Sequence, residues 1–289
     1  MTKVLAASAS AAIMLAGLGT FAPNPAVAAD LFGPLRGTHS SMPQLTPVHV
    51  WDGGYFGGFA GMTNLRATPR SGFREFLDHE LRLNAFANNT GIGNWISLPS
   101  KRNQGTSFGF FAGYNFQFDE AVLGFEFDYT RGNNTVTAAD SLRRATPLDG
   151  LNGNLGPLAG ETGAVTMSGE SRVQVRDLMT LRARAGYTYG SMLPFVTGGV
   201  ALARYSRSYT ATQRVRVTSG AEAGSIFTRT YGPDTKSGYG FGLAAGAGMD
   251  VAVTENLFLR GEWQYLHFRD LGGIRADLNN FRAGAAVKF

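Results

Sequence analysis

The chain has 289 residues, with 26 Lys and Arg against 21 Asp and Glu, a formal net charge of +5 and a pI of about 9.6. It contains no cysteine, which excludes a lipid-modified N-terminal cysteine and leaves no disulfide to support a fold in an oxidising compartment. Only 16% of residues are charged, 39 are Gly and 21 are Phe, and beyond the N-terminus no apolar run is long enough for a spanning helix. Short alternating segments rich in Gly and aromatics take the place of long 3.6-periodic helices, which is the dyad pattern of a membrane barrel. The basic balance would suit nucleic acid, but an export signal and the scatter of Arg over loops and alternate strand positions exclude it. Attraction to anionic lipopolysaccharide is the better use of that charge.

Residues 1–28 read as a secretory signal peptide. Lys3 supplies the positive start, residues 4–21 are apolar or small, and Ala26-Val27-Ala28 gives an A-x-A cleavage site at Ala26 and Ala28. Residues 29–50 carry Pro34, Pro43, Pro47, His39 and His49 and are expected to form a flexible periplasmic leader. A barrel domain is expected over 51–289, opening at Trp51.

Eight strands are predicted. The first covers 54–65. The second, 107–118, sets Phe108, Phe110, Ala112, Tyr114, Phe116 and Phe118 against a face of small and polar residues. In the third, 122–130, Leu123, Phe125, Phe127 and Tyr129 alternate with Gly124, Glu126, Asp128 and Thr130. The fourth, 180–189, alternates Leu181, Ala183, Ala185, Tyr187 and Tyr189 with Arg182, Arg184, Gly186 and Thr188. The fifth, 194–206, is mixed on both faces and leaves its register open. The sixth, 239–253, sets Tyr239, Phe241, Leu243, Met249, Val251 and Val253 against Gly and Ala ending at Asp250. The seventh sets Leu257, Leu259, Trp263 and Tyr265 against Arg260, Glu262 and Gln264, and the eighth is the terminal strand, 281–289.

The connections alternate. Short ones fall at 119–121, 190–193 and 254–256, and long ones at 66–106, 131–176, 207–237 and 269–280. That asymmetry predicts an all-β fold: an eight-stranded antiparallel up-and-down transmembrane β-barrel with four long extracellular loops and short periplasmic turns. An even strand count returns both ends of the chain to the periplasm.

Motifs along these strands resemble a known family. They are Trp51-Asp-Gly-Gly-Tyr-Phe-Gly-Gly, Gly113-Tyr-Asn-Phe-Gln, Val122-Leu-Gly-Phe-Glu-Phe-Asp, Leu181-Arg-Ala-Arg-Ala-Gly-Tyr, Leu193-Pro-Phe-Val-Thr-Gly-Gly, Leu259-Arg-Gly-Glu-Trp-Gln-Tyr and Val287-Lys-Phe. In this order they are similar to the Omp25/Omp31 (RopB-like) outer-membrane β-barrel proteins of alphaproteobacteria, within the OmpA-like small-barrel superfamily. The resemblance covers the strands of 51–289 and implies a Gram-negative outer-membrane location. It also implies that Phe281, Ala283, Ala285, Val287 and Phe289, on one face of the last strand, form the C-terminal signal read by the barrel-assembly machinery. Haem binding in some relatives would place His79, Tyr205, Tyr209 or Tyr231 as ligands, and a host ligand at the loops is a further implied partner.

Inward positions collect both signs of charge: Glu126, Asp128, Arg182, Arg184, Arg260, Glu262, Arg282 and Lys288. In a confined interior an unpaired charge is costly, so these are expected to pair into a plug. The alternative is a narrow solute path thinned by glycines 238, 240, 242, 246 and 248, although eight strands leave room for little beyond side chains. Outward Tyr129, Tyr187, Tyr189, Trp263 and Tyr265 suit the membrane interface, with Trp51 and Phe289 expected at the periplasmic girdle. No nucleophile–base pair stands out, so no enzyme, cofactor or metal is expected. His267 is placed near Asp270 at the rim, without a serine on the neighbouring strand. In the first loop, apolar residues 73, 76, 77, 81 and 83 suit a helix face packed on the barrel mouth. In the third, Arg204, Arg207, Arg214, Arg216 and Arg229 outnumber Glu222 and Asp234 and are expected to meet lipopolysaccharide phosphates. The leading reading is a structural protein of envelope integrity and surface exposure, with a surface binder (adhesin or haem receptor) and a small-solute porin as alternatives.

Overall fold

A computed structural model describes residues 49–69, 71–152 and 156–289. The cleavage site at Ala26 and Ala28 and all of the leader except His49 and Val50 lie outside the described residues. Eight antiparallel strands are present: β1 (Gly53–Pro69), β2 (Lys101–Phe118), β3 (Ala121–Pro147), β4 (Thr162–Tyr187), β5 (Met192–Val217), β6 (Ile226–Ala252), β7 (Leu257–Phe268) and β8 (Ile274–Lys288). Each pairs with its sequence neighbours, and β8 pairs with β1, so the sheet closes into a barrel without edges.

The strands run well beyond the expected boundaries. β3 to β6 have 27, 26, 26 and 27 residues, whereas roughly 9–11 tilted residues cross a bilayer. Much of the predicted gaps 131–176 and 207–237 is therefore strand, and those connections shrink to 148–161 and 218–225. The long first connection holds α1 (Gly72–Leu81), α2 (Ala85–Thr90) and one 3-10 turn (Ile92–Asn94).

Polarity inverts along these strands. In the lower part Phe108, Phe125, Leu181, Phe241, Leu259 and Phe281 face out and are exposed, while charged and polar side chains face in. Higher up, Val136, Val165, Met167, Val173, Val175, Val215 and Val217 are buried inside, and Thr137, Arg172, Arg214 and Arg216 are exposed outside. Lipid solvates the first region and water the second, so the apolar face must change sides.

The switch coincides with breaks in register, between Arg131 and Asn134 on β3, Val175 and Asp177 on β4, and Tyr209 and Ala211 on β5. At the β4 bulge both Arg176 and Asp177 lie outside, between buried Val175 and Leu178, so the inward parity of that strand shifts by one. A period-2 reading carried across the β4 break loses its face, whereas β3 and β5 keep their inward parity and only the polarity of their two faces changes.

The upper barrel holds a core of apolar residues filled by α1. Phe73, Phe76, Leu77 and Leu81 are buried, with Phe73 and Phe76 against the Tyr209 ring at 5.8 and 6.0 Å. Gly169 on β4 makes this possible: a Cβ there would stand 2.4 Å from Phe73 Cζ. Leu83 departs from the expected helix face. α1 ends at Leu81, and Leu83 is 88% exposed.

A smaller apolar layer of Trp51, Tyr55, Phe59, Phe111, Val122, Leu193, Phe258 and Ala286 fills the periplasmic end. Trp51 thus corrects the girdle expectation, being 1% exposed and packed edge-on to Phe258 at 5.6 Å, while Phe289 does face out at 79%.

Candidate functional site

Between the two apolar layers lies a belt of charge. Glu126 and Asp128 come from β3, Arg182 and Arg184 from β4, Asp250 from β6, Arg260 and Glu262 from β7, and Arg282 from β8. Inward parity sends each side chain to the axis, and the register brings them to one height: Glu126 opposes Arg182, Asp250 opposes Arg260, and Glu262 opposes Arg282.

Four guanidinium groups meet four carboxylates, and their side chains are between 0% and 3% exposed wherever they form an ion pair. Arg182 donates to Glu126 at 2.5 Å, lies 2.9 Å from Asp128, and also donates to Glu262. Arg260 donates through Nε to Asp250 Oδ1 at 2.7 Å and through its terminal nitrogens to Asp250 and Glu126. Arg184 donates to Asp250, and Arg282 to Glu262 at 2.8 Å and Asp128 at 3.3 Å.

Neutral groups complete the belt. The Tyr55 hydroxyl donates to Glu126 at 2.8 Å, Thr180 to Asp128 at 2.5 Å, and Asn280 to Gln264 at 3.0 Å. Gly113 leaves room for this tyrosine, since a Cβ there would stand 2.4 Å from its oxygen. Aromatic faces line the guanidinium groups, Phe195 at 3.9 Å from Arg184, Phe111 at 4.3 Å from Arg260 and Phe59 at 4.4 Å from Arg282.

Seven of these eight charged residues are in the sequence reading, which missed Asp250 as a member. Its inward parity at the end of the Gly and Ala row was the available signal. Lys288 does not join the belt; its ammonium donates to the Val50 carbonyl at the periplasmic rim. There, burial pushes the His49 imidazole below its usual range, with the Lys288 charge adding to the effect.

The remaining candidates do not converge. Tyr209 and Tyr231 are buried in the upper core, with hydroxyls donating to the Gly272 carbonyl at 3.3 Å and to Gln213 at 3.0 Å. His79 is exposed on α1 beside Glu80. His267 has Asp277 on β8 as its partner, at 2.7 Å, rather than Asp270, and the Tyr265 hydroxyl donates to the same carboxylate at 2.8 Å. Among the described residues neither imidazole nitrogen is hydrogen-bonded to a serine or threonine. Phe281, Ala283, Ala285, Val287 and Phe289 all lie on the exposed outer face of the closing strand and its end.

An edgeless barrel with a lipid-facing outside and a charged inside is an outer-membrane architecture. The chain belongs to the family whose model is described as outer membrane protein beta-barrel domain, which matches residues 51–289. It is similar to the 31 kDa outer-membrane immunogenic protein of Brucella melitensis, at 27% identity over 283 residues, covering 96% of this chain and 94% of the relative. It is also 28% identical over 181 residues to the 25 kDa outer-membrane immunogenic protein of Brucella ovis. That alignment covers 63% of this chain and 62% of the relative, less than two thirds of its length. These relatives agree with the resemblance of the strand motifs to the Omp25/Omp31 proteins, and the protein is located in the outer membrane. Among solved structures, OprG from Pseudomonas aeruginosa is 13% identical with a TM-score of 0.38, covering 84% of this chain and 99% of that one.

Proposed function

We propose that the protein is a closed, non-enzymatic structural barrel that contributes to envelope integrity and carries its long hairpins at the cell surface. The observation that carries this reading is the charge belt: four arginines neutralised by four carboxylates, almost fully buried, between two apolar layers. Such a cross-section leaves no free charge to attract an ion and no wetted path for a solute.

The glycine wall of β6 does not thin this filling. A Cβ at Gly248 would stand 2.6 Å from Phe195 Cζ, and one at Gly242 would stand 2.7 Å from Phe268 Cδ1. The space above these glycines is taken by rings from β5 and β7, which weighs against the porin alternative. The haem alternative loses Tyr209 and Tyr231 to the core for the same reason.

A strain lacking the protein is expected to be more sensitive to detergent and chelator, and restored by the full chain. Unchanged sensitivity would contradict the envelope role.

A further inference from the structure

The outer surface carries a feature that the closed interior does not explain. Directly above the lipid-facing belt, the strand register sets Arg131, Asp177, Arg204 and Tyr239 side by side across β3 to β6, all on the outer face. One step below runs an apolar row of Tyr129, Met179, Leu202 and Phe241. The β4 bulge adds Arg176 to the same face. Together they line a cleft of about 320 Å³ whose walls are Arg131, Arg176 and Arg204 above and Met179 and Leu202 below.

The charges in this cleft are not balanced. The Asp177 carboxylate accepts from the Tyr129 hydroxyl at 2.7 Å, and none of the three arginines forms an ion pair with a carboxylate among the described residues. Three exposed guanidinium groups therefore face outward where the sheet leaves hydrocarbon for headgroups. A cation held at that depth gains most from an anion fixed in the same plane, and guanidinium forks match phosphate oxygens.

We propose that this cleft is a binding site for the phosphorylated headgroup of an outer-leaflet glycolipid. Arg131, Arg176 and Arg204 hold the phosphate, and Met179, Leu202 and Phe241 lie along its acyl chains. The bulge at Arg176 has a function here beyond switching the inward face of β4. It brings a third guanidinium to a strand position where regular alternation would point that residue into the barrel. The lipid site shares only Arg204 with the basic surface expected from the sequence, since Arg214, Arg216 and Arg229 lie far up the hairpin, beyond the apolar row.

Native mass spectrometry of the delipidated full chain in mild detergent tests this, with lipid A, dephosphorylated lipid A and inorganic phosphate as probes. Lipid A is expected to be retained, with R131Q/R176Q/R204Q and removal of the phosphates each weakening retention by roughly a hundredfold. R214Q/R216Q/R229Q is expected to retain it as the unaltered chain does. Equal retention of both lipids, full retention by the rim variant, or loss in the hairpin variant would overturn the proposal. Displacement of lipid A by an equal concentration of inorganic phosphate would also overturn it, assigning the cleft to a free anion. If the rim variant does not fold, as judged by heat-dependent gel mobility, the two lipids compared on the unaltered chain decide the matter.

Discussion

Glu126 sits at the centre of the charge belt, taking hydrogen bonds from Tyr55, Arg182 and Arg260. Removing it leaves two buried guanidinium groups short of a partner, and breaking a buried pair in this way costs about 3–5 kcal/mol. Glu126→Ala is therefore expected to lower the urea midpoint of the folded barrel in lipid vesicles. An unchanged midpoint would mean that the belt is not what holds the interior. Tyr209 offers a second residue-level test, since burial pushes its phenol up to about 12 from 10.0. The fold holds the protonated form, so this contribution to stability is fully present below pH 10 and is lost as pH rises through about 12. Ultraviolet titration should show a late-ionising tyrosine component that Tyr209→Phe diminishes, together with loosening of the upper barrel; a late component unaltered by that substitution would contradict its burial. The belt was largely legible because strict alternation assigns each of its strand positions to one face. Asp250 was not, because balance is a sum over five strands and shows only once their register is known.

At the level of elements, the helix in the first connection was visible as an apolar spacing at 73, 76, 77 and 81, but its site was not. The sequence places it on the barrel mouth, and the structure sets it inside the upper barrel against Tyr209 and Gly169. Phe73→Ala and Phe76→Ala each remove a buried ring, a change worth about 3–5 kcal/mol. The double variant should expose residues 71–100 to limited proteolysis while the membrane-embedded barrel keeps its heat-dependent gel mobility. Equal resistance to protease would show that α1 is not seated there. β8 raises a separate expectation. Its outward apolar row is proposed to guide assembly, so Phe289→Asp should reduce the amount of barrel recovered in outer membranes, and normal recovery would contradict that role.

Seen whole, one sheet serves two solvents, and that explains what the sequence could and could not convey. Alternation of aromatics with Gly and charge marks the part in lipid, where the outside must be greasy and the inside polar. Above the bulges the outside meets water and the apolar residues turn inward, so the same strands read as polar loops such as 131–176. The interior is then filled from end to end: Trp51 and Phe258 below, the charge belt in the middle, α1 above. The most direct test of that filling is the current carried by the purified full chain in a planar lipid bilayer at steady voltage. Baseline current without discrete, lasting steps is expected, and Glu126→Ala should introduce at most brief events. A stable porin-sized conductance from the unaltered chain would contradict a filled interior.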